Sequence, residues 1–204
     1  GTRAITEGPA MSRDQAAQAV LTGVELVEEL KGRGAGLIAT GEMGIGNTTT
    51  SSAVACALLN RPVAEMTGRG AGLSDKGLER KLWAIETALE RSRPNPMDPL
   101  DVLSKVGGFD IAGLCGVCLG GALYRVPIMM DGFISTVAAL CALRLCTEAG
   151  KAMFASHVSA EPAGQLILDA LGKRPLITAG MRLAEGTGAV CAIPKLDMAL
   201  SLNK

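Results

Sequence analysis

Apolar residues recur at Ala16, Val20, Val24, Val27 and Leu30, and Ser12 with Gln15 forms a capping box ahead of them. The spacing predicts a helix that ends near Gly32 and Gly34. Gly36-Leu37-Ile38-Ala39-Thr40 is a short, Gly-bounded apolar run and reads as a buried strand, while Ser51 to Leu59 reads as an Ala/Leu-rich helix. A third helix carries Arg80 and Lys81 and is stopped by Arg93-Pro94-Asn95-Pro96-Met97-Asp98-Pro99. Asp98 or Asp101 then leads a short helix to Val106. Phe109 to Leu123 is helical in spacing and rich in small residues that allow a neighbouring element to approach closely. Val126-Pro127-Ile128-Met129-Met130 is the next strand, followed by a buried helix from Ile134 to Leu145. Gln165 to Leu171 and an Ala/Val/Leu segment ending at Leu202 complete the helices. Short apolar runs that alternate with helices predict an α/β fold with a parallel sheet.

Composition narrows the class. With 204 residues, 48% of them apolar, the chain is long enough for one substantial α/β domain over residues 1–204. A formal net charge of zero, with three Phe, one Tyr and one Trp, speaks against a nucleic-acid surface. Charge, Gly or Pro interrupts the apolar runs well short of a membrane span, and the first residues carry no signal-peptide pattern. A cytoplasmic protein is expected. Gly1-Thr2-Arg3-Ala4-Ile5-Thr6 reads as the middle of a longer chain, so a fragment is expected too.

Candidate chemistry concentrates in Gly41-Glu42-Met43-Gly44-Ile45-Gly46-Asn47-Thr48-Thr49-Thr50, between the first strand and its helix. Glycines there let backbone approach a ligand, and N–H groups at a helix start attract an anion. The spacing comes close to a P-loop but places Asn47 where the lysine for outer phosphates belongs. A single phosphate or a ribose phosphate is therefore the better guest. Glu42 fits that choice, because a carboxylate can bind ribose hydroxyls or stabilise developing positive charge. The competing reading is a Gly-rich turn that binds nothing.

Thr67-Gly68-Arg69-Gly70-Ala71-Gly72-Leu73-Ser74-Asp75-Lys76 offers a second Gly-rich arm with cations, and in a parallel sheet such loops converge at the carboxyl ends of strands. Asp131 ends a predicted strand and points at the same crevice. Ser156, His157, Ser159 and Glu161 crowd another strand-to-helix switch, where dense polar side chains suggest ligand contacts. A Ser–His–acid nucleophile is conceivable on residue types, but no G-x-S-x-G turn supports it. Glu185 lies between apolar residues and the turn Gly186-Thr187-Gly188, a partly dry setting suited to a general base, or else it caps the final helix. The six cysteines have one histidine for company, and Cys115 with Cys118 reads as a pair of small residues on a tightly packed helix rather than a redox or zinc site.

Taken together, Gly41 to Thr49, Val106-Gly107-Gly108, Asp131-Gly132-Phe133, Ser156-His157-x-Ser159-x-Glu161-Pro162 and Arg182-Leu183-x-Glu185-Gly186-Thr187-Gly188-Ala189 resemble the nicotinate-nucleotide:dimethylbenzimidazole phosphoribosyltransferase family. The motifs run in the family's order along essentially the whole chain, and Gly8-Pro9-Ala10-Met11 matches its lead-in. The resemblance implies transfer of ribose 5-phosphate from nicotinate mononucleotide to 5,6-dimethylbenzimidazole or a related base. It also implies a Rossmann-like three-layer large domain with an incomplete small domain, a homodimer, and no metal or cofactor. By motif, Glu185 matches the acid that takes the base's proton and Glu42 a second acid. Gly44, Gly46, Asn47 and Thr48, with Gly68, Arg69, Gly70 and Lys81, would cradle the phosphate. The segment Ser156 to Glu161 would close around the ribosyl part, and Asp131 and Gly186 count among the positions that bind substrate or phosphate.

Two positions depart from the family pattern: Ala184 replaces a glycine, and Ala163-Gly164-Gln165 differs from the usual Gly-His ending. Family chains also carry an N-terminal portion that is expected to be lacking here. The alternative reading is accordingly a truncated core that binds nucleotide or phosphate without turnover. A P-loop-like nucleotide hydrolase rests on the first loop alone.

Overall fold

The computed structural model describes residues 1–70, 72–181 and 185–202. Three parallel strands, β1 (Ile38–Ala39), β2 (Ile128–Met130) and β3 (Met153–Ala155), lie in the order β1-β2-β3. Ile38 pairs with Ile128, and Met130 pairs with Ala155. Between β1 and β2 run α2 (Asn47–Leu59), α3 (Val63–Met66), α4 (Asp75–Ser92), α5 (Pro99–Val106) and α6 (Phe109–Tyr124). Helix α1 (Arg13–Gly32) precedes the sheet, α7 (Phe133–Leu145) and a 3-10 turn at Thr147–Ala152 join β2 to β3, and α8 (Gly164–Leu171) and α9 (Thr187–Ser201) follow.

Strand alternation separates two packed faces. Ile128 and Met130 belong to the main core, whereas Met129 belongs to a second cluster with Ala189 and Ala192 of α9. Successive strand side chains point to opposite faces, so α9 covers the side of the sheet opposite the main core. The result is helices on both faces of a parallel sheet, as the alternating pattern predicts.

Two local features follow directly from residue type. Ser12 accepts the Gln15 N–H while the Gln15 side chain accepts the Ser12 N–H, the reciprocal capping box expected at the start of α1. Helices α1 and α6 meet backbone to backbone: a Cβ on Gly116 would lie 1.9 Å from the Val20 carbonyl oxygen, and one on Gly23 would lie 2.0 Å from that of Gly113. The small residues of α6 are there for this contact. Cys115, Cys118 and Cys141 are buried in the same core, and burial pushes the Cys118 and Cys141 thiols up to about 12 and Cys115 well above its ordinary value. They are inert packing groups.

Helix α2 starts at Asn47, four positions before the predicted Ser51. Asn47 and three threonines look like loop, but they form a first helical turn because Gly46 ends the loop in a left-handed conformation (φ 81°) and Thr50 returns its hydroxyl to the Asn47 carbonyl.

Candidate active site

The segments that leave the carboxyl ends of β1, β2 and β3 begin at Thr40, Asp131 and Ser156. That is where open parallel sheets bind ligands. In the first segment Gly44 and Gly46 take positive φ values of 79° and 81°, which an L side chain would resist. Gly46 caps α2 without a side chain, so the free N–H groups of the first turn present the positive end of the helix dipole. Glu42 turns its Oε2 onto the Gly44 N–H at 2.5 Å. Asn47 donates to Asp110 Oδ2 at 2.5 Å, and its buried Oδ1 has no hydrogen-bond partner among the described residues.

The second Gly-rich arm reaches this helix start through Lys81. The Lys81 side chain is 4% exposed and its Nζ donates to Thr48 Oγ1 at 3.0 Å and to the Gly68 carbonyl at 2.9 Å. Burial pushes this ammonium below the usual lysine range, and Glu161 partly opposes the shift. Gly68 and Gly70 are required by contact: a Cβ on Gly68 would lie 2.1 Å from Glu161 Oε2, and one on Gly70 would lie 2.9 Å from Thr48 Oγ1. Gly68, Gly70, Ser159, Glu161 and Pro162 line a cavity of about 320 Å³. Glu161 Oε2 is buried there with no hydrogen-bond partner among the described residues. Ser159 fixes the turn by accepting the Glu161 N–H at 3.3 Å. Arg69 takes another direction, donating to the Leu73 carbonyl at 2.9 Å and pairing with Asp75 at 2.5 Å on the surface. Of the two cations expected at this cradle, Lys81 is buried between the arms, and Arg69, itself among the residues lining the cavity, braces its own turn.

Asp131 turns both carboxylate oxygens onto the start of α9. Its Oδ2 accepts the Gly186 N–H at 3.1 Å and its Oδ1 accepts the Ala189 N–H at 3.0 Å. The physical reason is that the N-cap of α9 is Gly186, a residue with no side chain to cap its own helix. His157 and Ser156 are buried beside it, at 1% and 0% exposure. Ser156 Oγ lies 2.9 Å and Asp131 Oδ1 3.9 Å from His157, and both approach the same nitrogen, Nδ1. A nucleophile relay needs serine and acid on opposite ring nitrogens, so this trio is not arranged as one. Burial pushes the His157 imidazole below its ordinary value, with Asp131 opposing.

Glu185 is exposed rather than partly dry, and it holds a left-handed backbone conformation (φ 67°). Its N–H donates to the Glu42 carbonyl at 2.9 Å, which brings the two expected acid residues onto adjoining loops. Gly41 permits that approach, since a Cβ there would lie 2.5 Å from the Gly186 nitrogen. Arg182, Leu183 and Ala184, which complete this motif, lie outside the described residues. The site also includes residues that sequence reasoning missed. Asp110 anchors Asn47, and Thr40 Oγ1 accepts the Asp131 N–H at 3.2 Å. Asp110 carries one signal, being a first-turn acid after Gly107-Gly108, but nothing local pairs it with Asn47.

A family model for phosphoribosyltransferases matches residues 1–204. The nicotinate-nucleotide--dimethylbenzimidazole phosphoribosyltransferase of Ruminiclostridium cellulolyticum is 51% identical to this chain, over 98% of the chain and 57% of the relative. The protein of the same name from Desulforudis audaxviator is 52% identical, over 100% of the chain and 58% of the relative. The chain thus spans less than two thirds of the length of these curated relatives. The crystal structure of CobT from Thermus thermophilus is similar to it with a TM-score of 0.92 and 42% identity, covering 98% of this chain and 60% of that one. Matched from its first residue to its last, the chain belongs to this phosphoribosyltransferase family.

Proposed function

We propose that this chain transfers the 5-phosphoribosyl group of nicotinate mononucleotide to 5,6-dimethylbenzimidazole or a related base, giving α-ribazole 5′-phosphate and nicotinate for assembly of a cobalamin nucleotide loop. The names of its relatives motivate the substrates, and one observation carries the reading. The loops of Glu42 and Glu185 are tied by a backbone hydrogen bond beside an uncapped helix start that Lys81 links to the second Gly-rich arm.

Each part has work to do in such a transfer. The α2 N–H groups and Lys81 offer a site for the phosphate, with positive charge already in place. Glu161 Oε2 and Asn47 Oδ1, buried and unpartnered, can accept from ribose hydroxyls. A nitrogen of the incoming base attacks C1′ on the face opposite nicotinate, and the C1′–N bond breaks with its electron pair passing to the nicotinate ring. Attack from that face converts a β-nucleotide into an α-product. The Glu185 carboxylate takes the N–H proton of the base, and Glu42 stabilises positive charge at the oxocarbenium-like centre. Neither role calls for a metal.

We further propose that residues 1–204 act as one α/β domain in a cytoplasmic homodimer, with no nucleic-acid or membrane partner. The formal net charge is zero, and among the described residues no helix is long and apolar enough to cross a membrane. Exposed Val190, Met198 and Leu200 give α9 apolar surface for a second copy. Incubating the purified protein with nicotinate mononucleotide and dimethylbenzimidazole and searching for α-ribazole phosphate by mass spectrometry tests the activity. Nucleotide binding without product would overturn it in favour of a non-catalytic nucleotide-binding core.

A further inference from the structure

We propose that Asp131 is a positioning residue for Glu185, acting through the first turn of α9. The idea rests on the reading of Glu185 as the proton acceptor. Asp131 follows β2, whose three residues are all buried, and is itself 1% exposed. Its place is therefore set by the sheet. The two backbone N–H groups it accepts, from Gly186 and Ala189, belong to the N-cap and the third helical position of α9. At an ordinary helix start a side chain of the N-cap residue satisfies the N–H at the second or third position, here that of Ala189. Glycine cannot do so, and a carboxylate from a different element takes over.

Glu185 is the residue immediately before this cap. Its left-handed backbone is costly for a residue with a Cβ and persists only where neighbours hold it. Asp131 holds the turn from one side through Gly186, and Glu42 holds it from the other through the Glu185 N–H. Thr40 Oγ1, which accepts the Asp131 N–H, links the same carboxylate-bearing residue to the start of the Glu42 loop. His157 fills the space under Gly188 so closely that a Cβ there would lie 2.0 Å from Nδ1. Asp131 thus joins the two acid-bearing loops through its own N–H and its two carboxylate oxygens. Both its oxygens are acceptors, so an amide of the same shape would turn an NH2 group onto one of the two backbone N–H groups.

The test compares the wild-type protein with Asp131→Asn, using nicotinate mononucleotide and dimethylbenzimidazole. Displacing a proton acceptor by about an ångström can cost roughly a hundredfold in rate, and that fall is expected in kcat. KM for the nucleotide should stay within about twofold, because Lys81, Thr48 and Gly68 sit on other elements. Amide hydrogen exchange at Gly186 and Ala189 should accelerate while the α2 and α4 amides stay protected. A kcat near wild type despite accelerated exchange would overturn the proposal, as would a matching loss of kcat and nucleotide binding. Should Asp131→Asn fail to fold, the wild-type amides still decide: protected Gly186 and Ala189 support the cap, and exchange at the rate of free amides refutes it. Wild-type protein that makes no product would sink the phosphoribosyl-transfer reading, and the amide measurement, which needs no turnover, would still judge the cap.

Discussion

Replacing Lys81 with Met keeps the length of the side chain and deletes its charge, which isolates the cation at the junction of the two Gly-rich arms. The Lys81 ammonium has three N–H groups, and the Thr48 hydroxyl and Gly68 carbonyl take two of them at 3.0 and 2.9 Å. The third has no hydrogen-bond partner among the described residues. A hydrogen bond to a charged group contributes about 1.5–3 kcal/mol. At about 1.4 kcal/mol per decade, its loss weakens nucleotide binding roughly 10- to 150-fold. Burial already disfavours the charged lysine, so removing it relieves a desolvation cost while leaving Thr48 and Gly68 short of a donor. These effects oppose each other, and the folded state should survive. Isothermal titration with nicotinate mononucleotide reads the affinity, and circular dichroism checks the fold. A folded Lys81→Met protein that binds the nucleotide within about twofold of wild type would refute the assignment of Lys81 as the phosphate cation.

Four further outcomes are expected. Glu185→Gln should nearly abolish transfer while leaving nucleotide affinity intact, and an equally active mutant would remove the general-base role. Gly188→Ala forces a Cβ to within 2.0 Å of His157 Nδ1 and 2.9 Å of Asp131 Oδ1; overpacking of this kind costs about 1–3 kcal/mol, visible as a lower melting temperature. His157 binds its proton more weakly in the folded state than in the unfolded chain, where the ordinary value is about 6.5. The unfolded state therefore holds more protons between the depressed value and 6.5, so this contribution to stability is complete above that window and declines as pH falls through it. Urea unfolding should show that decline, and His157→Gln should flatten it. Cys146 and Cys191 are exposed, whereas Cys115, Cys118 and Cys141 are buried thiols held in protonated form. Iodoacetamide on the native protein, read by peptide mass spectrometry, should label the first two and spare the other three.

Much of the site was readable in the chain because its signals are local. The run Gly41 to Thr50 announces a strand-to-helix loop through glycine spacing, and positive φ at Gly44 and Gly46 is the geometry those glycines allow. Helical periodicity located α1 and α6, and the Gly/Ala content of α6 announced a close approach that the structure makes with α1. The motif order along the chain pointed to the family that its relatives then established.

Tertiary structure alone decided which polar groups meet, because the pairs are far apart in sequence and each partner looks ordinary where it stands. Asn47 and Asp110 are separated by 63 residues, and Asp131 lies 55 and 58 residues from the two N–H groups it caps. An aspartate at the end of a strand has the same local signature whether it faces a ligand or a helix start. The choice was made by α9 packing across the sheet with a glycine at its N-cap. Likewise Arg69 and Lys81 are both cations near glycines, but one sits where Asp75 can hold it at the surface and the other lies on the buried face of α4. Local residue type determines the elements and the kinds of chemistry available; burial and long-range packing determine which of those groups are left for a substrate.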